Sequence, residues 1–152
     1  MATALDGAGQ IFPIALVFAS SETSDSWRFF VQHLANALDI RDTPLTVISD
    51  RCKGIDNAVT EFLPRAAHSF CAFHINQNTL KHGNVVVSYV WKVANVTSFR
   101  EYADAIAGLT TIKHEANVYL GKIPREQFVR AFFPLPRFGH VTSNIAESIN
   151  AW

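Results

Sequence analysis

Cysteine is scarce in this chain, methionine scarcer, and long apolar runs are missing altogether. Its 152 residues contain two cysteines and one methionine. Cys52 and Cys71 are too few for a disulfide framework and have no CxxC spacing, so a reducing compartment fits best. The longest apolar stretch near the start, Ile11 to Ala19, is far shorter than the roughly 18 residues a membrane span requires. Asp6 precedes it, no Lys or Arg does, and Pro13 interrupts it, so it reads as a buried strand and not as a secretion signal. No sequence period, low-complexity tract or Gly/Ser linker appears, which predicts one unit. Charge is sparse at 17% and balanced, 13 basic against 13 acidic side chains. That balance argues against a protein held on phosphates by a net basic surface, although it permits a local basic groove.

What is abundant is apolar side chains, 49% of the total, in a pattern that switches period along the chain. Asp6-Gly7-Ala8-Gly9 carries turn chemistry, and the Ile11–Phe18 strand follows it. Trp27, Phe30, Val31, Leu34 and Leu38 recur at helical spacing behind a cap at Ser24 or Asp25. A short strand, Leu45 to Ile48, runs into Ser49-Asp50. Ile55, Ala58, Val59 and Phe62 stripe a second helix that Pro64 stops. Ala67 to Phe73 reads as a third strand, and the chain beyond it is mainly helical. Val86, Val90 and Val93 favour a helix over the local strand propensity of Val85-Val86-Val87. Ser98 and Glu101 have capping-box spacing for a helix with Phe99, Tyr102 and Ile106 on one side. Pro124 suits the first position of a helix carrying Phe128 and Phe132. Asn144 and Glu147 would cap a last helix striped by Ile145, Ile149 and Trp152. The alternation predicts an α/β layered fold.

Three groups of residues bear chemistry. Asp50 follows a buried apolar strand, so its carboxylate emerges where α/β sheets place ligands, with Arg51 and Lys53 close behind. Local sequence alone also allows Asp50 to cap a helix beginning near Lys53. Glu147 falls opposite the apolar stripe of its helix, facing solvent or a cleft. His68, Cys71 and His74 form H-x-x-C-x-x-H. They converge only if the strand bends into a helix near Phe73, so a zinc site ranks below a buried, apolar Cys71. The Phe132-Phe133 pair reads as core or as an exposed patch.

Taken in order, Gln10-Ile11-Phe12-Pro13-Ile14-Ala15, Ser26-Trp27-Arg28-Phe29-Phe30, Val47-Ile48-Ser49-Asp50-Arg51-Cys52-Lys53-Gly54, Cys71-Ala72-Phe73-His74 and Thr142-Ser143-Asn144-Ile145-Ala146-Glu147-Ser148-Ile149-Asn150 closely resemble the catalytic domain of Mutator-like (MULE) transposases. The resemblance implies a ribonuclease-H-like fold of the DDE superfamily, with a helical region before the last catalytic helix. It also implies cut-and-paste DNA transposition, in which three acidic residues hold two divalent ions, Mg²⁺ or Mn²⁺. By position, Asp50 resembles the second acid and Glu147 the third, both binding metal. Arg51 and Lys53 become phosphate contacts, and Cys71 with His74 matches the family's C-x-x-H signature.

In the family the first acid lies on the opening strand, ahead of a second strand that leads into the turn matched here by Asp6 to Gln10. The resemblance therefore implies an N-terminally truncated domain lacking the first catalytic strand, with weak metal binding and little or no strand transfer of its own. It leaves open a non-catalytic alternative, a domesticated DNA- or protein-binding regulatory module like the far-red-response transcription regulators that share this domain. DNA is the implied partner, with self-association as a further expectation, no membrane, and the nucleus as the implied location.

Overall fold

A computed structural model describes residues 1–143. The expected last helix and Glu147 lie outside the described residues. The element order is β1 (Ala2–Leu5), β2 (Ile11–Ala15), α1 (Ser24–Leu38), β3 (Thr46–Ser49), α2 (Lys53–Phe62), β4 (Ala67–Phe70), α3 (Ala72–Gln77), α4 (Asn84–Asn95), α5 (Phe99–Ile112) and α6 (His114–Leu120), with short 3₁₀ turns at Leu80–His82, Arg125–Gln127 and Arg130–Phe132. This is a mixed α/β chain. It forms two compact units, one of Met1–Leu45 with Arg51–Ala66 and one of Thr46–Asp50 with Ala67–Thr142.

In the first unit, β1 and β2 pair antiparallel, Leu5 opposite Ile11, around a turn that Asp6 organises. The Asp6 carboxylate accepts from the backbone N–H of Ala8 at 2.9 Å and of Gln10 at 2.7 Å, the side-chain turn that Asp favours. β2 is shorter and more exposed than its apolar sequence predicts. It ends at Ala15 and, among the described residues, is paired on one side only. Phe12 and Leu16 are left 45% and 60% exposed, so the expected strand buried on both faces is not what forms.

α1 starts behind Thr23, whose hydroxyl accepts from the Ser26 N–H at 3.1 Å, so the cap sits one residue before Ser24. Ile55, Ala58, Val59 and Phe62 of α2 are all buried, as their spacing predicts, and Phe30, Val31 and Ala35 are buried on α1. Arg28 makes a bidentate pair with Glu61 and also lies 5.5 Å from the Phe62 ring centre. This pair is exposed, and the stabilisation lies mainly in the apolar contacts beneath it. Gly54 permits the close approach of the two helices: a Cβ there would lie 2.7 Å from Ser24 Cα and 2.9 Å from Trp27 Cδ1.

The second unit joins the parallel pair β3–β4, in register Thr46↔Ala67 to Ser49↔Phe70, to the helices that follow. Ile75, Val86, Val90, Val93, Leu109 and Phe128 are at most 2% exposed and form its core. α4 is a helix as its valine spacing predicts. The Ser98 hydroxyl accepts from the Glu101 N–H at 3.2 Å, while the Glu101 carboxylate accepts from the N–H of Thr97 at 2.7 Å and from its hydroxyl at 3.1 Å. The Thr97 backbone bond, and then that of its hydroxyl, hold the Glu101 carboxyl below its usual pKa. Phe99 stays 68% exposed, and Ala105 and Leu109 carry the buried face of α5. Among the described residues after Pro124 the chain makes two 3₁₀ turns and no α-helix. Phe128 is nevertheless core, because the turns fold it inward without helical periodicity.

One cation lies inside this unit. Arg137 is 7% exposed, and its guanidinium donates to Ser69 Oγ at 2.9 Å, to the Phe128 carbonyl at 3.1 Å and to the Ala94 carbonyl at 3.5 Å. Ala94 belongs to the last turn of α4, where helix carbonyls favour positive charge.

Two outcomes follow for urea unfolding monitored by tryptophan fluorescence. Gly54→Ala loses about 1–3 kcal/mol from the forced backbone shift, whereas Gly7→Ala, with nothing within 4 Å of the added carbon, stays within about 0.5 kcal/mol of the parent. Arg137→Met loses roughly 2–4 kcal/mol, because each buried acceptor left unanswered costs about 1–3 kcal/mol.

Candidate functional site

The chemistry-bearing residues gather at the carboxyl ends of β3 and β4. Ser49 is the last residue of β3, and half-buried Asp50 follows it. The N–H of Cys71 donates to the Ser49 carbonyl at 2.7 Å, carrying the ladder one step past β4. The N–H of Ala72 donates to the Val141 carbonyl at 2.8 Å, so three chain segments are tied together at this end. Asp50 thus sits where a strand's end in a parallel pair presents its side chain to a ligand.

The residue in the N-cap position of α2 is Cys52, whose side chain makes no capping bond. Asp50 therefore does not occupy the cap position that the local sequence allowed. Arg51, which is exposed, and Lys53, the first residue of α2, follow Asp50 in the chain but belong to the first compact unit.

The strand containing His68 stops at Phe70, three residues earlier than the sequence predicts, and Cys71 becomes the N-cap of α3. Cys71 is fully buried, and half-buried His74 lies one turn into α3, edge-to-face with Phe73 at 5.8 Å. His68 has a contact with the neighbouring strand: its Nε2 lies 2.7 Å from Ser49 Oγ. Among the described residues no three His, Cys, Asp or Glu side chains are grouped to hold a metal. Asp50 is in no such group among the described residues, and Glu147 lies outside them.

The Ser49–His68 pair was not legible as a unit, because its two members become neighbours only through the parallel pairing. Both are 8% exposed. Ser49 Oγ donates to the Asp50 carbonyl at 2.8 Å. A hydroxyl has one proton, so the bond to His68 requires Nε2 to carry a hydrogen and donate. This link fixes the backbone from which the Asp50 side chain projects. Long-range ¹H–¹⁵N spectra should accordingly show a protonated Nε2 on His68 at neutral pH; an Nε2 signal of the acceptor type would refute the arrangement. Ser49→Ala should cost about 1–3 kcal/mol through the unanswered donor.

Compared with known proteins, residues 1–78 match the MULE transposase domain. The matched region includes Asp50, Arg51, Lys53, Cys71 and His74. No curated protein sequence matches the chain. More than half of the 152 residues fall within the family's domain, and the chain belongs to the MULE transposase family.

Proposed function

We propose that this chain is part of the phosphoryl-transfer core of a DDE-type DNA transposase with a ribonuclease-H-like fold, and that Asp50 is one of its metal-binding acids. The observation that supports this reading most directly is Asp50 itself: a carboxylate one residue beyond β3, at the carboxyl end of a parallel strand pair, inside the family-matched region. In this reading Glu147 is the second acid the chain contributes. Arg51 and Lys53 contact DNA phosphates, Cys71 and His74 order the strand-to-helix junction beside Asp50, and the work is done on DNA in the nucleus. Divalent ions, when bound, stabilise charge on the phosphoryl group being transferred. The chain's own residues position them: the Ser49–His68 bond holds the backbone at Asp50, and the Cys71 N–H ties the neighbouring strand end to it.

The family pattern assigns two acids to these 152 residues, and two of three carboxylates hold a metal pair poorly. The polypeptide by itself is accordingly expected to cleave DNA bearing terminal inverted repeats no faster than background with Mg²⁺ or Mn²⁺. Robust cleavage abolished by Asp50→Asn would overturn that expectation while supporting the role of Asp50. Metal binding is read separately. Mn²⁺ should broaden amide resonances around Ser49, Asp50 and Cys71, and Asp50→Asn should remove the effect; broadening that persists in the variant refutes the assignment.

A further inference from the structure

The neutral chain carries its charge unevenly. From Lys122 to Ser143 there are four cations, Lys122, Arg125, Arg130 and Arg137, and one acid, Glu126. Arg125 Nε lies 2.9 Å from Glu126 Oε1, so that acid is already matched. Of the three that remain, Arg130 and Arg137 line a cavity of about 370 Å³ with Phe138 and His140, between apolar walls that include Leu135 and Pro136. This volume lies within the range of small-ligand sites, roughly 300–1,000 Å³. Burial, and then the charge of Arg130, pushes Arg137 down to about 10. Two cationic residues line this cavity and no acid is among its lining residues, which favours an anion there.

The cavity's edge is a strained turn. The Arg137 carbonyl accepts from the His140 N–H at 2.8 Å, and the residues between have φ of 48° at Phe138 and 85° at Gly139. Positive φ at both central positions is the signature of a type I′ turn, whose first central position favours Asn, Asp or Gly. A phenylalanine there is in a disfavoured backbone conformation, and its ring is 86% exposed, so it contributes no core. Folding alone would select against it, and strain of this kind collects at functional sites. The turn is also well anchored. Thr46 Oγ1 donates to the Pro136 carbonyl at 2.8 Å, and the Val141 carbonyl receives the Ala72 N–H at the strand ends next to Asp50.

A cationic cavity beside a presented aromatic ring matches one chemistry well: phosphate together with the face of a base. In a duplex the base faces are stacked and hidden, whereas an unpaired strand exposes them. We propose that the Arg137–His140 turn and the cavity beside it form a contact site for single-stranded nucleic acid, with a phosphate at Arg130 and His140 and an unpaired base stacked on Phe138. This deepens the DNA-processing reading by naming where a strand is held. It requires neither metal nor Glu147.

The test measures fluorescence anisotropy of a labelled oligodeoxythymidylate with the full chain in EDTA. The parent should bind with a salt-dependent affinity. Phe138→Asn, which suits the turn better, should weaken binding about tenfold or more while the melting temperature stays level or rises. Arg130→Gln should lower the slope of log K against log salt by about 0.7. Inorganic phosphate should compete in the parent and in Phe138→Asn but not in Arg130→Gln, which separates the phosphate from the base. Absence of oligonucleotide binding by the parent would overturn the proposal, as would full affinity in Phe138→Asn or equal competition by a duplex of the same length. Binding that depends on Phe138, with Mn²⁺ broadening that does not depend on Asp50, would keep this proposal and defeat the catalytic assignment; the reverse pattern would do the opposite.

Discussion

A guanidinium cannot give up its charge cheaply, and in this chain one has been folded into the interior. Arg137 is held by Ser69 at the middle of β4, by the Phe128 carbonyl and by Ala94 at the end of α4, with the Phe133 ring 5.0 Å from its centre. Every one of these acceptors is neutral, so the charge is solvated by the protein in place of water and is not cancelled by a carboxylate. Each acceptor lies on a different stretch of sequence, so the bonds of the two terminal nitrogens form together only when strand, helix and the irregular segment after Pro124 are all in place, while the buried Nε has no acceptor among the described residues. That requirement explains how a stretch with no long helix, residues 122–141, is fixed tightly enough to present a turn.

The same requirement shows why the fold was unevenly legible. The helices α1, α2 and α4 form where apolar residues recur at helical spacing, because burial of one face favours that type, and α5 forms as well but buries Ala105 and Leu109 with Phe99 left exposed. The segment after Pro124 does not follow its spacing. Phe128 and Phe132 have helical spacing, yet Phe128 is buried while Phe132 is pinned between Tyr102 at 5.0 Å and Arg125 at 4.5 Å. Contacts distant in sequence outweighed local period there. β2 failed for the opposite reason. Its apolar run implied two covered faces, but a two-stranded ribbon does not supply them.

The candidate site divides along the same line. Asp50 was legible because its signal is local, a carboxylate one step beyond an apolar strand. The Ser49–His68 bond was hidden, since register alone brings the two residues together: Ser49 pairs with Phe70, and His68 with Val47. Their polar character in two short apolar strands was the available signal. It gains meaning only when the side chains answer each other, because either one buried alone would cost more than the pair contributes.

Net charge is a sum over the whole chain, and a binding site responds to a part of it. A total of zero argues against phosphate binding only if charges are spread evenly, since attraction to a polyanion falls off within about a Debye length, roughly 8–10 Å. Within that distance the local excess governs. Arg130 and Arg137 line one cavity, and the one acid between Lys122 and Ser143, Glu126, is matched by Arg125. The cavity therefore experiences a positive field that the whole-chain sum conceals. An exposed aromatic ring at the edge of that field adds what charge cannot, a preference for strands whose bases are free to stack.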